Sequence, residues 1–196
     1  MKRKKQINLE ELPPELTSSI LLRLGAFEIL ETAQKVCRSW RRVCKDPSMW
    51  RKINIQIPRN IETLKYDTEV ICRNAVDRSQ GGLLEIDIDG FVTGSLLTYI
   101  TDRSSYLRSL GLQVCYPMKR KVLVNAVSKL PLLEELEVSY SWTKLNLKAI
   151  GYSCPHLKTL KLNCSSYERS RRKFDADTPP PAYWEQTNKH WLRRHS

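Results

Sequence analysis

Four in-phase copies of the pattern Leu-x-x-Leu-x-Leu restrict this chain more than anything else in it. They are Leu83/Ile86/Ile88, Leu107/Leu110/Leu112, Leu133/Leu136/Val138 and Leu157/Leu160/Leu162, with starts 24, 26 and 24 residues apart. Seven residues before the starts stand Val76, Ile100, Ala126 and Ile150, and ten before the last three stand Leu97, Leu123 and Leu147. A turn former (Gly81, Ser105, Pro131 or Pro155) lies two residues ahead of each start. Apolar residues two apart share one side of a strand, and those three or four apart share one face of a helix. Each unit therefore reads as a strand with a return helix. Such a unit cannot cover its apolar side alone, so neighbours must stack around a common core with a parallel sheet. This predicts strands near 84–89, 108–113, 134–139 and 158–163. Trp50/Ile53/Ile55 fits the same template at a looser spacing of 33 and predicts a first strand near 53–57, closed by Pro58.

The residues ahead of that strand follow another rule. In Leu12-Pro13-Pro14-Glu15-Leu16 a proline, with φ fixed near −65°, suits the first turn of a helix. Leu16, Ile20 and Leu24 recur every four residues on one face, with Leu21 at its margin and Leu22 on the opposite, polar side. Gly25 reads as the stop. Beyond it Ile29, Leu30, Ala33, Val36, Cys37, Trp40, Val43 and Cys44 continue without Gly or Pro until Pro47. Periodicity makes this one helix; a break near Cys37–Ser39 would leave Ser39 as cap of a third. Asp46-Pro47-Ser48 is turn chemistry, and Met49-Trp50 returns an apolar anchor. Two or three short helices bury too little surface to stand alone. No Ser/Gly-rich linker precedes the first strand, so the helices should pack directly on the stack.

These residues resemble the F-box: Leu12-Pro13-x-Glu15-Leu16, Ile20-Leu21, Leu24, Ile29-Leu30, Val36-Cys37-Arg38-x-Trp40-Arg41 and Met49-Trp50-Arg51-Lys52 agree in order, spacing and type. Gly25-Ala26-Phe27 stands where a proline commonly opens the second helix. The later units, above all Leu147-x-x-Ile150-x-x-x-Cys154-Pro155-x-Leu157-x-x-Leu160-x-Leu162, look like cysteine-containing leucine-rich repeats. Together they resemble the F-box/leucine-rich-repeat proteins in their short plant-type form. The resemblance implies an α/β fold in which a three-helix F-box (9–53) joins a short leucine-rich-repeat solenoid (50–164) with a parallel sheet on its concave face. It implies docking on a Skp-type adaptor, and through it on cullin and RING subunits of a ubiquitin ligase. Leu12, Pro13, Leu16, Ile20, Leu24, Val36, Cys37 and Trp40 match the motif and are the candidate adaptor contacts, some of which must instead be core.

On the concave side of such a solenoid, equivalent strand positions form rows, one reading Leu84, Arg108, Glu134, Lys158 and another Asp87, Gly111, Glu137, Lys161. Opposite charges recur as lateral pairs, Glu134 beside Lys158 and Glu137 beside Lys161. Glu85, Asp87, Asp89 and Tyr140 have no evident partner, and with Arg108 they are the candidate contacts to a protein substrate.

The six cysteines, at 37, 44, 72, 115, 154 and 164, include no Cys-x-x-Cys pair and read as reduced core thiols of a cytosolic or nuclear protein. No apolar run approaches the ~20 residues that cross a bilayer, and Met1-Lys2-Arg3-Lys4-Lys5 leads into no apolar stretch of a secretory signal. The net charge of +12 raises nucleic-acid binding, but its clusters (Lys2–Lys5, Lys119–Lys121, Arg169–Lys173) are short and scattered. Residues 1–8 read as a basic tail. From Ser165 the repeat stops, and Pro179–Pro181 with the preceding charges suggests a disordered tail, with Trp184 and Trp191 as a possible cap. Only three histidines (His156, His190, His195) and seven glycines occur, without a hydrolase, metalloprotease, phosphate-loop or Cys/His metal motif. No catalytic residue, metal or cofactor is expected. The function expected is a non-catalytic substrate receptor of a ubiquitin ligase; the alternatives are an interaction scaffold with a vestigial F-box, or a basic nucleic-acid binder.

Overall fold

The structure is a computed structural model that describes residues 9–56, 68–115, 120–139 and 147–163. Tyr140, Lys119, the clusters Lys2–Lys5 and Arg169–Lys173, and everything after residue 163 lie outside them. A 3-10 turn (Leu9–Glu11) leads to α1 (Pro14–Leu21), α2 (Ala26–Glu28), a π-helical turn (Ile29–Ala33), α3 (Gln34–Val36), α4 (Arg38–Val43) and a second 3-10 turn (Pro47–Trp50). Strands and helices then alternate: β1 (Lys52–Gln56), α5 (Thr68–Arg78), β2 (Glu85–Val92), α6 (Gly94–Arg103), β3 (Ser109–Cys115), α7 (Arg120–Val127), β4 (Glu135–Ser139), α8 (Leu147–Ser153) and β5 (Thr159–Asn163).

All five strands form one sheet in chain order, every pair parallel. The register lines up the repeat leucines. One row is Ile53, Ile86, Leu110, Leu136 and Leu160; the next is Ile55, Ile88, Leu112, Val138 and Leu162. Because side chains alternate across a strand, these rows share the face covered by α5 to α8, which pack each on the next. Leu83, Leu107 and Leu133, the first leucines of their repeats, are fully buried. Despite its longer spacing, the Trp50/Ile53/Ile55 copy falls into the same register, so β1 is the first member of the array. At the turn into β2, Gln80 and Gly81 have positive φ (50° and 83°), a conformation that costs glycine nothing.

One local expectation, the Ser39 cap, needs correction in the helical module. Pro14 opens α1 at its first position, and the Leu16/Ile20/Leu24 stripe, named among the candidate contacts, faces outward at 54%, 41% and 38% exposure. The inward residues are Thr17 and Leu21, four apart and fully buried. Periodicity shows which residues share a face, not where that face points. The second segment breaks where the sequence allows it, near Cys37–Ser39: Cys37 is fully extended (φ −154°, ψ 174°) and separates α3 from α4. The cap of α4 is Cys37 rather than Ser39, its Sγ accepting from the Trp40 amide at 3.5 Å. The Gln34 carbonyl left over at the break accepts from Arg41 Nε at 3.0 Å. Asp46 behaves as its turn chemistry predicts, accepting from the Ser48 amide at 2.9 Å; that hydrogen bond holds its carboxyl below the usual range.

The helices join the sheet without a gap in packing. One apolar cluster runs from Leu21 through Phe27, Leu30, Met49 and Trp50 into Ile53, Ile86 and on to Cys154. Trp50, 1% exposed, donates from Nε1 to the Cys44 carbonyl at 2.9 Å. Arg78, at the end of α5, donates to the same carbonyl at 2.9 Å and to Gln34 Oε1 at 2.8 Å. Its guanidinium lies 5.4 Å from the Trp50 ring. One repeat helix thus clips directly onto the helical module. Cys37, Cys44, Cys72 and Cys154 are free thiols; Cys154 donates to the Val127 carbonyl at 3.7 Å, and burial raises its pKa.

Candidate protein-docking surfaces

The first surface lies on the helical module. Leu16 and Ile20 sit one turn apart on the open side of α1, and Val36, at the end of α3, is 49% exposed. Pro13 is exposed and Leu12 half-buried. Cys37 and Trp40 are half-buried and also serve the interior, Cys37 as a cap and Trp40 by packing on the core. Trp40 Nε1 is buried without a hydrogen-bond partner among the described residues. Leu9 and Leu22, 42% and 57% exposed, belong to the same class of side chain; Leu22 stood out in the sequence only as a leucine on the wrong face. Covering a leucine or isoleucine fully is worth ~1.5–3 kcal/mol. Several of them are held open on one small module, which makes it a candidate protein contact.

The second surface is the face of the sheet opposite α5 to α8. Two polar rows cross it: Lys52, Glu85, Ser109, Glu135, Thr159, and Asn54, Asp87, Gly111, Glu137, Lys161. Ion pairs link neighbours along and beside these rows. Lys161 meets Glu137 at 3.4 Å, while Glu134 takes both Lys158 (2.7 Å) and Arg108 (3.3 Å). The Lys158 hydrogen bond, with the charges of Lys158 and Arg108, holds the Glu134 carboxyl below the usual range. Arg108 is therefore engaged within the sheet. Glu85, expected to lack a partner, pairs with Lys52 at 2.7 Å. The irregular first spacing hid Lys52 as its neighbour; aligning Ile53 with Ile86 would have revealed it. Among the described residues Asp87 has no cation within ion-pair reach. Half burial, then the charges of Glu137 and Asp89, raise its pKa, against a hydrogen bond from Gln113. Asp89 is half-buried and opposite Gln56; Tyr140 lies outside the described residues.

An open pocket of about 540 Å³ lies between the Leu22–Ile29 stretch of the helical module and the polar rows of the sheet. Leu22, Leu24 and Ile29 wall one end, and the polar rows from Lys52 to Lys161 make the floor. Of the candidate adaptor contacts Leu24 lines the pocket, while Leu12, Pro13, Leu16, Ile20 and Val36 do not. Among the described residues no His/Cys/Asp/Glu group could hold a metal ion, and no helix is long and apolar enough to cross a membrane.

Residues 9–56 match the F-box-like family. F-box/LRR-repeat protein 9 of Arabidopsis thaliana is 59% identical over 170 residues, covering 84% of this chain and 69% of that protein. F-box protein SKIP19 of the same plant is 59% identical over 157 residues, 80% of this chain and 52% of its own length. A third, the F-box protein At4g05475, is 58% identical over 81% of this chain and 50% of its own length. The chain thus spans about half to two thirds of these relatives. With the helical module, the repeat register and this identity in agreement, the chain belongs to the F-box/LRR-repeat proteins.

Proposed function

We propose that the chain is the substrate-recognition subunit of a Skp–cullin–F-box ubiquitin ligase, acting in the nucleus or cytoplasm. Residues 9–53 dock on a Skp-type adaptor, and the repeats (about 50–164) form a short solenoid whose concave sheet face holds a protein substrate. The chain carries no catalysis of its own; it fixes a target at a set distance from the subunits that transfer ubiquitin. One observation carries this reading: the module fills its own core with Thr17, Leu21, Phe27 and Leu30 and leaves Leu16, Ile20 and Val36 outside. Leu12, Pro13, Leu24, Cys37 and Trp40 complete the proposed adaptor contacts. On the sheet, Glu85, Asp87, Asp89, Arg108 and Tyr140 are the proposed substrate contacts.

The test is co-purification of the full chain with a Skp-type adaptor and cullin. Leu16→Ala with Ile20→Ala removes apolar area already exposed in the free chain, so folding should survive. Covering the remaining halves of two such side chains is worth ~2 kcal/mol together, about thirtyfold in adaptor affinity. Unchanged capture by the double variant refutes the docking face. A chain that recruits a partner protein but no adaptor is a scaffold.

A further inference from the structure

We infer that the pocket between the helical module and the sheet takes an extended segment of a partner protein carrying a bulky apolar side chain two residues from a lysine or arginine, the apolar group against Leu22 and Leu24 and the cation over Asp87. This rests on the reading that the sheet face holds the substrate, and names the chemistry it selects.

The charge count of the pocket carries the inference. Four carboxylates line it: Glu85, Asp87, Glu135 and Glu137. Lys52 neutralises Glu85 and Lys161 neutralises Glu137. Asp87 and Glu135 have no cation partner among the described residues. In a chain of net charge +12 the floor of this pocket is thus locally negative. Fields of one sign inside a walled recess select ligands of the other.

Asp87 is also held in place. Its carboxylate lies over Gly111 of the next strand, where a Cβ would come 2.5 Å from Oδ1 and 3.1 Å from Cγ. Only glycine leaves that carboxylate its position. Gln113 donates to it from further along β3, and burial with the adjoining charges of Glu137 and Asp89 leaves its negative charge poorly compensated. A cation brought by a partner would relieve that.

The apolar wall is close by. A Cβ built on Gly25 would lie 3.6 Å from the Asn54 carbonyl, so the Leu22–Gly25 turn abuts β1 at Asn54, whose register partner is Asp87. Parallel strands lie ~4.8 Å apart, and alternate residues of an extended segment lie ~6.6 Å apart on one side. An apolar anchor and a cation two residues along the same segment span the distance. Leu22 is 57% exposed and Leu24 38%, leaving apolar area for the anchor to cover.

The test selects a random heptapeptide phage library against the full chain, then measures synthetic winners by fluorescence anisotropy. Enriched peptides should place Lys or Arg two residues from Leu, Ile, Met, Phe or Trp. Asp87→Asn and Gly111→Ala should each weaken them about tenfold, as loss or displacement of a charge-assisted contact does, with Leu22→Ser weakening them independently. Asp87→Asn is close to isosteric and guards against a folding defect in Gly111→Ala. Enrichment of acidic or uncharged sequences, or of none, overturns the proposal. Peptides without cation preference that are lost on Glu135→Lys would overturn this pocket chemistry and leave substrate binding by the sheet standing. Winners indifferent to every sheet-face substitution overturn both.

Discussion

Replacing Arg78 with Met tests how the helical module is held to the repeats. The stem of the side chain is kept and its packing near Trp50 largely survives; what disappears is the guanidinium, with its bonds to the Cys44 carbonyl at 2.9 Å and Gln34 Oε1 at 2.8 Å. A hydrogen bond from a charged group contributes ~1.5–3 kcal/mol. Arg78 is half-buried, and the Cys44 carbonyl keeps Trp50 Nε1 as a donor, so both losses sit low in that range. The expected cost is ~3 kcal/mol by urea unfolding followed through tryptophan fluorescence. Trp50→Phe alone should cost ~1 kcal/mol, because Arg78 then still serves that carbonyl. The double variant leaves a buried carbonyl without either donor and should exceed the sum of the singles by ~1 kcal/mol. A loss below ~0.5 kcal/mol for Arg78→Met, or strict additivity in the cycle, would refute the shared-acceptor clip.

Three further outcomes follow from the geometry. Asp87 has a raised pKa in the fold, so its ionised form opposes folding above the unfolded carboxylate range and the penalty fades as pH falls through the folded value. Asp87→Asn should stabilise the chain at pH 7 by a few tenths of a kcal/mol after solvent screening, a gain that vanishes near pH 3; a loss at pH 7 contradicts it. Cys37→Ser should keep or improve the α4 cap by up to ~0.5 kcal/mol while Cys37→Ala weakens it by ~0.5–1, read from urea midpoints. Glu134 is held low first by its Lys158 hydrogen bond, so NMR titration should move its pKa upward in Lys158→Met; no movement would mean the pair does not persist in solution.

The sheet was legible because its signal is redundant. Leu83, Ile86 and Ile88 recur with their helix anchors and turn residues in every unit, and that arithmetic fixes the partner of each strand before any contact is seen. The module was legible as a motif but not as a shape. Thr17 and Leu21 point inward, and periodicity alone does not say which face of a two-turn helix does so. The break near Cys37–Ser39 was named, but its cap was missed because a thiol is an unusual one. On the sheet face, the expected Glu134–Lys158 and Glu137–Lys161 pairs form. Lys52 was overlooked because its repeat is out of step. Nor could any pattern announce Arg78, whose two acceptors lie 34 and 44 residues away in sequence.

The uninterrupted interior from Leu21 to Cys154 has a bearing on genetics. With no seam at which the chain can part, loosening Leu110 or Ile150 deep in the strands and helices lowers the amount of competent helical module as well. Under the proposed function, a missense allele there would look, in a cell, like a failure to recruit the ligase. Only binding measured per folded molecule would tell a damaged contact from a depleted one.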